Sequence, residues 1–217
     1  MVRRTKEESA ATRRTIIEAA RNVFDEHGVS RTSLEDIAAA AGVTRGAIYW
    51  HFANKADLFY AMRDESHVPL VDLSDRALEA SDAALDPLDR IQNFILTIVA
   101  HVASDEVVER TFRVASFKVE YVDEFAHDLD MACTKHTKLV AKLAGVYRKA
   151  KRQGCLRDGL SPTLAATDTM LFITGLMRTW LFDDQGTLVR KHTRQLILDH
   201  VEGKRKREPD LSRSAAT

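Results

Sequence analysis

The sequence predicts an all-α protein: an N-terminal three-helix helix-turn-helix domain, joined by a connecting helix to a C-terminal helical bundle. Three observations carry this reading. Two short segments with apolar stripes, around residues 33–41 and 44–52, meet at Gly42. Through most of the remaining chain of 217 residues, apolar side chains recur at helical spacing. Proline and glycine punctuate those runs into separate helices. The expected division is residues 1–54 for the helix-turn-helix domain, 55–203 for the bundle, and 204–217 for a disordered basic tail.

The chain is neutral in total, 32 Lys and Arg balancing 32 Asp and Glu, but its charge is unevenly spread. Arg3, Arg4, Lys6, Arg13, Arg14 and Arg21 crowd the N-terminal arm and first helix, while acids are frequent from Asp57 to Asp89. Only local charge acts within a screening length of roughly 8 Å.

The second helix starts at a cap, Thr32 or Ser33, with Glu35 or Asp36 completing a capping box. Leu34, Ile37, Ala38 and Ala41 form its apolar stripe, and Gly42 supplies the left-handed residue that ends it. Thr44 is placed to cap the third helix. There Ile48 faces the core, leaving Arg45, Gly46, Ala47, Tyr49, Trp50 and His51 on the surface. That composition suits a DNA groove: Arg45 reads base edges, Gly46 and Ala47 let the backbone approach, and Tyr49 and His51 bond phosphates. An αα-hairpin with its aromatics packed inside a domain is the structural alternative.

The fourth helix opens at Asn54 with Asp57 and carries Leu58, Phe59 and Met62 on one face. Pro69 interrupts it, bending or ending the connector near Val68, either as a signal-transmitting hinge or as an ordinary helix end. Asp86-Pro87 caps a fifth helix with Leu88, Ile91, Ile95, Ile98, Val99 and Val102 at helical spacing. Ser104 is expected to cap a short sixth helix through Val108 and Phe112. A long helix follows from about Asp123 to Gln153, with Leu129, Ala132, Cys133, Leu139, Val140, Leu143 and Tyr147 apolar and Gly154 as its stop.

Ser161-Pro162 opens the most apolar segment, whose residues from Leu164 to Phe182 cover more than one helix face. One face lines the core. The other is expected to pack on a second subunit through Leu176, Trp180 and Leu181, with Leu188, His192 and Leu196 of a final helix. A helix-turn-helix usually reads DNA as a symmetric pair, which favours a homodimer on a palindromic operator.

The stretch from Thr12 to about Phe59 resembles the DNA-binding domain of the TetR family of bacterial transcription regulators. The family's first-helix pattern is matched by Ile16, Ile17, Ala20, Phe24 and Gly28, and its second-helix cap by Thr32 and Ser33. Its Tyr-x-His-Phe signature and following lysine are matched by Tyr49, His51, Phe52 and Lys55. The run Thr44 to Phe52 is similar to the AcrR-type multidrug-efflux repressors. The resemblance implies a ligand-responsive repressor of an efflux operon, with Lys55 joining Tyr49 and His51 on phosphates. It also implies a pocket for a small lipophilic effector among the helices after Leu88. Inward candidates there are Ile95, Val99, Phe112, Ser116, Phe117, Cys133, Val140, Thr169, Phe172 and Ile173. Glu120, Asp123 and Asp168 stand as acids able to neutralise a cationic drug. The rival is a DNA-binding protein that responds to no ligand, its bundle serving only to dimerise or to hold a protein partner.

No phosphate loop, nucleophile elbow or H-E-x-x-H motif appears, which argues against an enzyme. Cys133 and Cys155 are expected reduced and largely buried. Cys133 and His136, with His127 nearby, lack the four-ligand closure of a zinc site, so neither metal nor cofactor is expected. The absence of a long apolar run and the charged start place the protein off the membrane, in the cytoplasm.

Overall fold

The computed structural model describes residues 6–79, 86–122 and 125–206, with the side chains of 127–132 left aside. Within them the elements are α1 (Lys6–His27), α2 (Leu34–Ala41), α3 (Arg45–His51), α4 (Lys55–Glu79) and α5 (Pro87–Val102). There follow α6 (Glu106–Phe117), α7 (Ala126–Arg152), α8 (Pro162–Phe182), a 3-10 turn (Arg190–His192) and α9 (Thr193–Glu202). Arg3, Arg4, Asp123 and the side chains of His127, Leu129 and Ala132 lie outside the described residues. No described helix is long and apolar enough to cross a membrane.

By internal contacts the chain gathers into two units, one from the residues up to Leu73 and Ala100–Cys133, the other from Ser74–Val99 and the residues from Thr134 onward. The first is built on a core of Ile16, Ile17, Phe24, Ile37, Ile48 and Phe59, joined by Val114 of α6. Edge-on aromatic contacts thread it, Phe24 to Phe59 at 6.3 Å and Phe59 to Phe125 at 5.4 Å between ring centroids. Gly28 ends α1 at φ 82°. The Val29 amide then donates to the Lys118 carbonyl at 2.8 Å, fastening the α1–α2 turn to the end of α6.

Charges strengthen the α1–α6 joint. Arg21 is buried and donates from Nε to Thr111 Oγ1 at 2.9 Å and from Nη2 to Glu65 at 3.0 Å, pairing also with Glu18. Arg113 bonds both Asp25 oxygens at 3.3 Å, a bidentate arrangement, and Arg110 bonds Asn22. A buried guanidinium is tolerated only because its donors are used.

Three expectations about helix ends change. α4 runs unbroken through Pro69 to Glu79, so the proline removes one backbone donor without ending the helix. Asp105, not Ser104, caps α6 by accepting from the Val107 amide at 2.7 Å; Ser104 donates its hydroxyl to the His101 carbonyl and closes α5 instead. The final helix begins at Thr193, because the preceding loop is organised around Asp183. That buried carboxylate accepts from the amides of Thr187, Leu188, Val189 and Arg190 at 2.8–3.1 Å. Burial pushes its pKa up, yet the four amides prevail and hold it at about 2.

The second unit packs Leu88, Ile91, Phe94, Ile95, Leu143, Tyr147, Ile173, Trp180 and Ile197. A polar chain crosses this core. Tyr147 Oη meets Thr169 Oγ1 at 2.7 Å, and Thr169 Oγ1 lies 3.1 Å from His200 Nε2. Lys204, buried, places Nζ 2.9 Å from the same Nε2 and 2.6 Å from Asp168. Lysine can only donate, so Nε2 is the acceptor and the imidazole is neutral. Phe172 stacks on the imidazole at 3.9 Å.

The basic segment expected in a mobile tail is partly ordered. The Lys206 amide donates to the Cys155 carbonyl at 2.7 Å, and that of Arg157 to the Lys204 carbonyl at 2.9 Å. Arg205 binds Asp86, Asp89 and Glu202. Acids from four segments, Asp86 with Asp89, Asp158, Asp168 and Glu202, give Lys204 to Lys206 fixed partners. The rest of the tail, 207–217, lies outside the described residues.

Candidate nucleic-acid interface

The site is the outer face of α3 with the turns around it. α2 is held by the capping box foreseen from the sequence, in its Ser33–Asp36 form: Asp36 N donates to Ser33 Oγ at 3.1 Å and Ser33 N to Asp36 Oδ2 at 2.9 Å. The Ser33 hydroxyl and amide lower the Asp36 pKa. Gly42 sits at φ 63° with no neighbour that a Cβ would touch, so its glycine is required by backbone conformation alone. Thr44 caps α3 by accepting from Ala47 N at 3.2 Å. These three devices fix where α3 starts and how it leaves α2.

Ile48 is fully buried, and the residues around it point outward: Trp50 is 82 % exposed and Tyr49 47 %. Exposing an indole to water is costly for a helix that needs only to fold, which marks the face as one meant to be covered. Gly46 adds a second sign. It is helical, and a Cβ there would meet only Thr44 Oγ1 at 3.9 Å. The fold does not require glycine at this place, although glycine costs a helix about 1 kcal/mol relative to alanine. Close approach of another molecule does explain it.

Arg45, at the start of α3, places Nη1 2.8 Å from Glu35 Oε1 and Nη2 3.3 Å from Tyr49 Oη, with its Cζ 5.3 Å from the Tyr49 ring centroid. The Tyr49 hydroxyl, then the Glu35 charge, raise its pKa. Lys55 Nζ reaches the Ser30 carbonyl at 3.3 Å from the start of α4, where Asn54 accepts from the Asp57 amide at 2.8 Å. His51 is half-buried, and Arg13 lies 5.2 Å over the buried Phe52 ring, binding α1 to the end of α3.

Ser33, Thr44, Arg45, Gly46, Ala47, Tyr49, Trp50, His51 and Lys55 thus fall in one region with solvent access. Thr32 does not. It is buried and donates its hydroxyl to the Gly28 carbonyl at 2.7 Å, so it braces the α1–α2 turn. Glu35 escaped the sequence-based selection, which weighed it only as a cap; its i, i+10 relation to Arg45 across a turn carries no local signal.

The candidates for an effector site divide. Ile95, Val99, Val140, Thr169, Phe172 and Ile173 belong to the second unit, and Phe112, Ser116 and Phe117 to the first. Phe112 stacks on His67 at 4.3 Å. Two assignments change: Cys133 and Glu120 are exposed, so neither faces a core, and Glu120 cannot neutralise a buried cation. Cys155 is half-buried, and Asp168 is already paired with Lys204.

The dimer assignments change more. Leu176, Trp180 and Leu181 are buried inside their own unit. The outward apolar residues of α8 are Leu164, Leu171 and Phe182, each 62–68 % exposed. At about 100° per residue these three fall within some 20° of one line, a stripe that the wheel of α8 separates from its buried side. Leu188, His192 and Leu196 are exposed, as a contact surface requires.

Comparison with known proteins meets this geometry. Residues 16–62 match the model of bacterial regulatory proteins of the tetR family, and residues 86–202 that of the C-terminal region of MAATS-type transcriptional repressors. The chain is 38 % identical over 181 residues to the transcriptional regulator TtgR of Pseudomonas putida, covering 83 % of this chain and 85 % of that one. The structure of NalD, the secondary repressor of the MexAB-OprM multidrug efflux pump in Pseudomonas aeruginosa, superposes with a TM-score of 0.79 at 30 % identity, covering 94 % and 100 % of the two chains. The SmeT–triclosan complex gives a TM-score of 0.74 at 25 % identity, covering 90 % and 92 %; SmeT represses the efflux pump SmeDEF of Stenotrophomonas maltophilia.

Proposed function

We propose, from the premise that this chain belongs to the TetR family of bacterial transcriptional regulators, that it represses a multidrug efflux operon. It binds a palindromic operator as a homodimer in the cytoplasm and is released by a small lipophilic molecule. The observation that carries the reading is the outer face of α3, where Arg45, Tyr49 and Trp50 stand exposed on a helix anchored by buried Ile48. Arg45 reads base edges, and Tyr49, His51 and Lys55 take phosphates.

Two further features support the assembly and the response. The Leu164–Leu171–Phe182 stripe is an apolar surface of the kind that a second copy covers. α6 touches α1 through Arg110, Arg113 and Thr111, so a shift of α6 is felt by the DNA-reading helices. The triclosan bound by SmeT supports an aromatic, lipophilic effector. By linkage, such a ligand weakens DNA binding only as far as DNA weakens the ligand, typically about 1–3 kcal/mol.

The test selects a duplex from a randomised pool with the full-length protein, then measures its binding by fluorescence anisotropy. Light scattering reports mass with and without the duplex. A panel of dyes, antibiotics and plant phenolics is added last. The expected result is a palindromic duplex, a dimer, and at least one compound that releases it. Failure to enrich any duplex, or a strictly monomeric species, overturns the reading; a panel that leaves affinity unchanged favours a bundle that only dimerises or binds protein.

A further inference from the structure

We infer that Glu35 is a specificity-determining residue: its carboxylate, with Tyr49, holds Arg45 over the groove for base reading and keeps it from phosphates on non-cognate DNA. The inference rests on the reading of α3 as the DNA-facing helix and adds to it a role on α2.

Three contacts converge on one guanidinium. Glu35 Oε1 lies 2.8 Å from Nη1, Tyr49 Oη accepts from Nη2 at 3.3 Å, and the Tyr49 ring lies 5.3 Å from Cζ. All three groups are substantially exposed, so the arrangement is a surface cluster and not part of a core. Exposed ion pairs contribute little to stability. The capping of α2 does not need Glu35 either, because Ser33 and Asp36 fill both halves of the box. As a first-turn acid Glu35 gains modestly from the dipole of α2, but that does not require its carboxylate to meet Arg45.

Its consequences appear on DNA. Non-specific binding is driven by phosphate charge, and an arginine on a free stem contributes to it with any sequence. A carboxylate bonded to that arginine offsets its charge toward phosphates, so the effect runs through Arg45. Each terminal nitrogen of the guanidinium still has a second hydrogen for a base edge, since Glu35 and Tyr49 use one apiece. The cluster therefore taxes phosphate contact more than base contact, which raises discrimination without raising affinity.

The experiment uses full-length protein with the duplex enriched by the wild type and a random duplex of equal length, across a salt series. Glu35→Gln is expected to tighten binding to the random duplex and to steepen its slope of log K against log salt by about 0.9, one added phosphate. On the enriched duplex affinity stays level or falls, so the ratio of the two affinities drops about tenfold. In an Arg45→Ala background the same substitution is expected to have no effect on either slope. Equal shifts on both duplexes, or an effect that persists without Arg45, overturn the inference while leaving the repressor reading intact. If the wild type enriches no duplex, the repressor reading falls and the role of Glu35 with it. Glu35→Asp, which keeps the charge, is expected to retain more than half of the wild-type ratio; loss of the ratio in that variant with unchanged thermal unfolding also overturns the inference.

Discussion

α3 and α8 both carry tryptophan, and they treat it oppositely. Trp50 on α3 is exposed, whereas Trp180 on α8 is buried, with the Arg190 guanidinium 3.9 Å from its ring centroid. The difference follows from length and partners. α3 has seven residues and buries one, Ile48, so most of its side chains are left for another molecule. α8 has 21 residues, apolar on more than one side; it turns Ile173, Leu176 and Trp180 inward and leaves the Leu164–Leu171–Phe182 stripe outside. An exposed aromatic on a short, well-capped helix points to a ligand. On a long helix, which aromatic is exposed depends on where its neighbours sit.

The sharpest way to break that comparison is to cut the two sides of α8 separately. Trp180→Ala is expected to cost about 3–5 kcal/mol in urea unfolding, as truncation of a buried aromatic does. Leu171→Glu is expected to change the stability of the single chain by no more than about 0.5 kcal/mol while halving the mass seen by light scattering. A large loss from Leu171→Glu without a change in mass would overturn the reading of this stripe as a contact with a second copy.

The second unit also carries a pH dependence centred on His200. Burial, then the charge of Lys204, holds His200 down at about 4 against its ordinary 6.5, with Asp168 opposing. The unfolded chain binds that proton at higher pH than the folded one. The contribution to stability is therefore complete above pH 6.5 and lost as pH falls toward 4, at no more than about 1.4 kcal/mol per unit. Thr169, Lys204 and Phe172 face the ring, with Tyr147 bonded to Thr169 and Asp168 paired with Lys204 behind them. Urea midpoints between pH 7.5 and 4.5 check this, and His200→Asn should flatten the curve; an equal slope in both proteins sinks it.

Smaller effects sharpen the α3 side. Trp50→Ala is expected to leave thermal unfolding unchanged and weaken the selected duplex about tenfold, roughly 1.4 kcal/mol. A stability loss without an affinity loss would mean that the indole serves the fold. The smallest expected change is that of Lys55→Ala, a salt slope shallower by about 0.9 on every duplex. A loss confined to the selected duplex would instead make Lys55 a base reader.

Much of the candidate site on α3 is local in the chain, and that is why it was legible. Ser33, Asp36, Gly42 and Thr44 act on residues three or four positions away, so the caps and the turn follow from spacing. Glu35 to Arg45 and Arg21 to Thr111 cross turns or whole helices, and nothing in their spacing announces them. The bundle was less legible because α8 is apolar on several sides, and pattern alone leaves the inward side open.

The sequence by itself determined that the chain is helical, where most helices begin and end, and that one short helix leaves Arg45, Tyr49 and Trp50 on its outer face. Caps, glycine turns and periodicity act over a few residues, within reach of local free energy. Only the tertiary structure decided that Thr32 is buried, that α4 continues through Pro69, that Leu164, Leu171 and Phe182 and not Trp180 face outward on α8, and that Lys204 to Lys206 are ordered. Thr32 turns inward to the Gly28 carbonyl at the close of α1, whereas the last two depend on partners from far along the chain: Tyr147 of α7 and His200 of α9 against Thr169 of α8, and Asp89 of α5, Asp168 of α8 and Asp158 of the α7–α8 loop, which pair with the final cations. Long-range pairing of this kind is a property of the folded surface, and no short stretch of sequence encodes it.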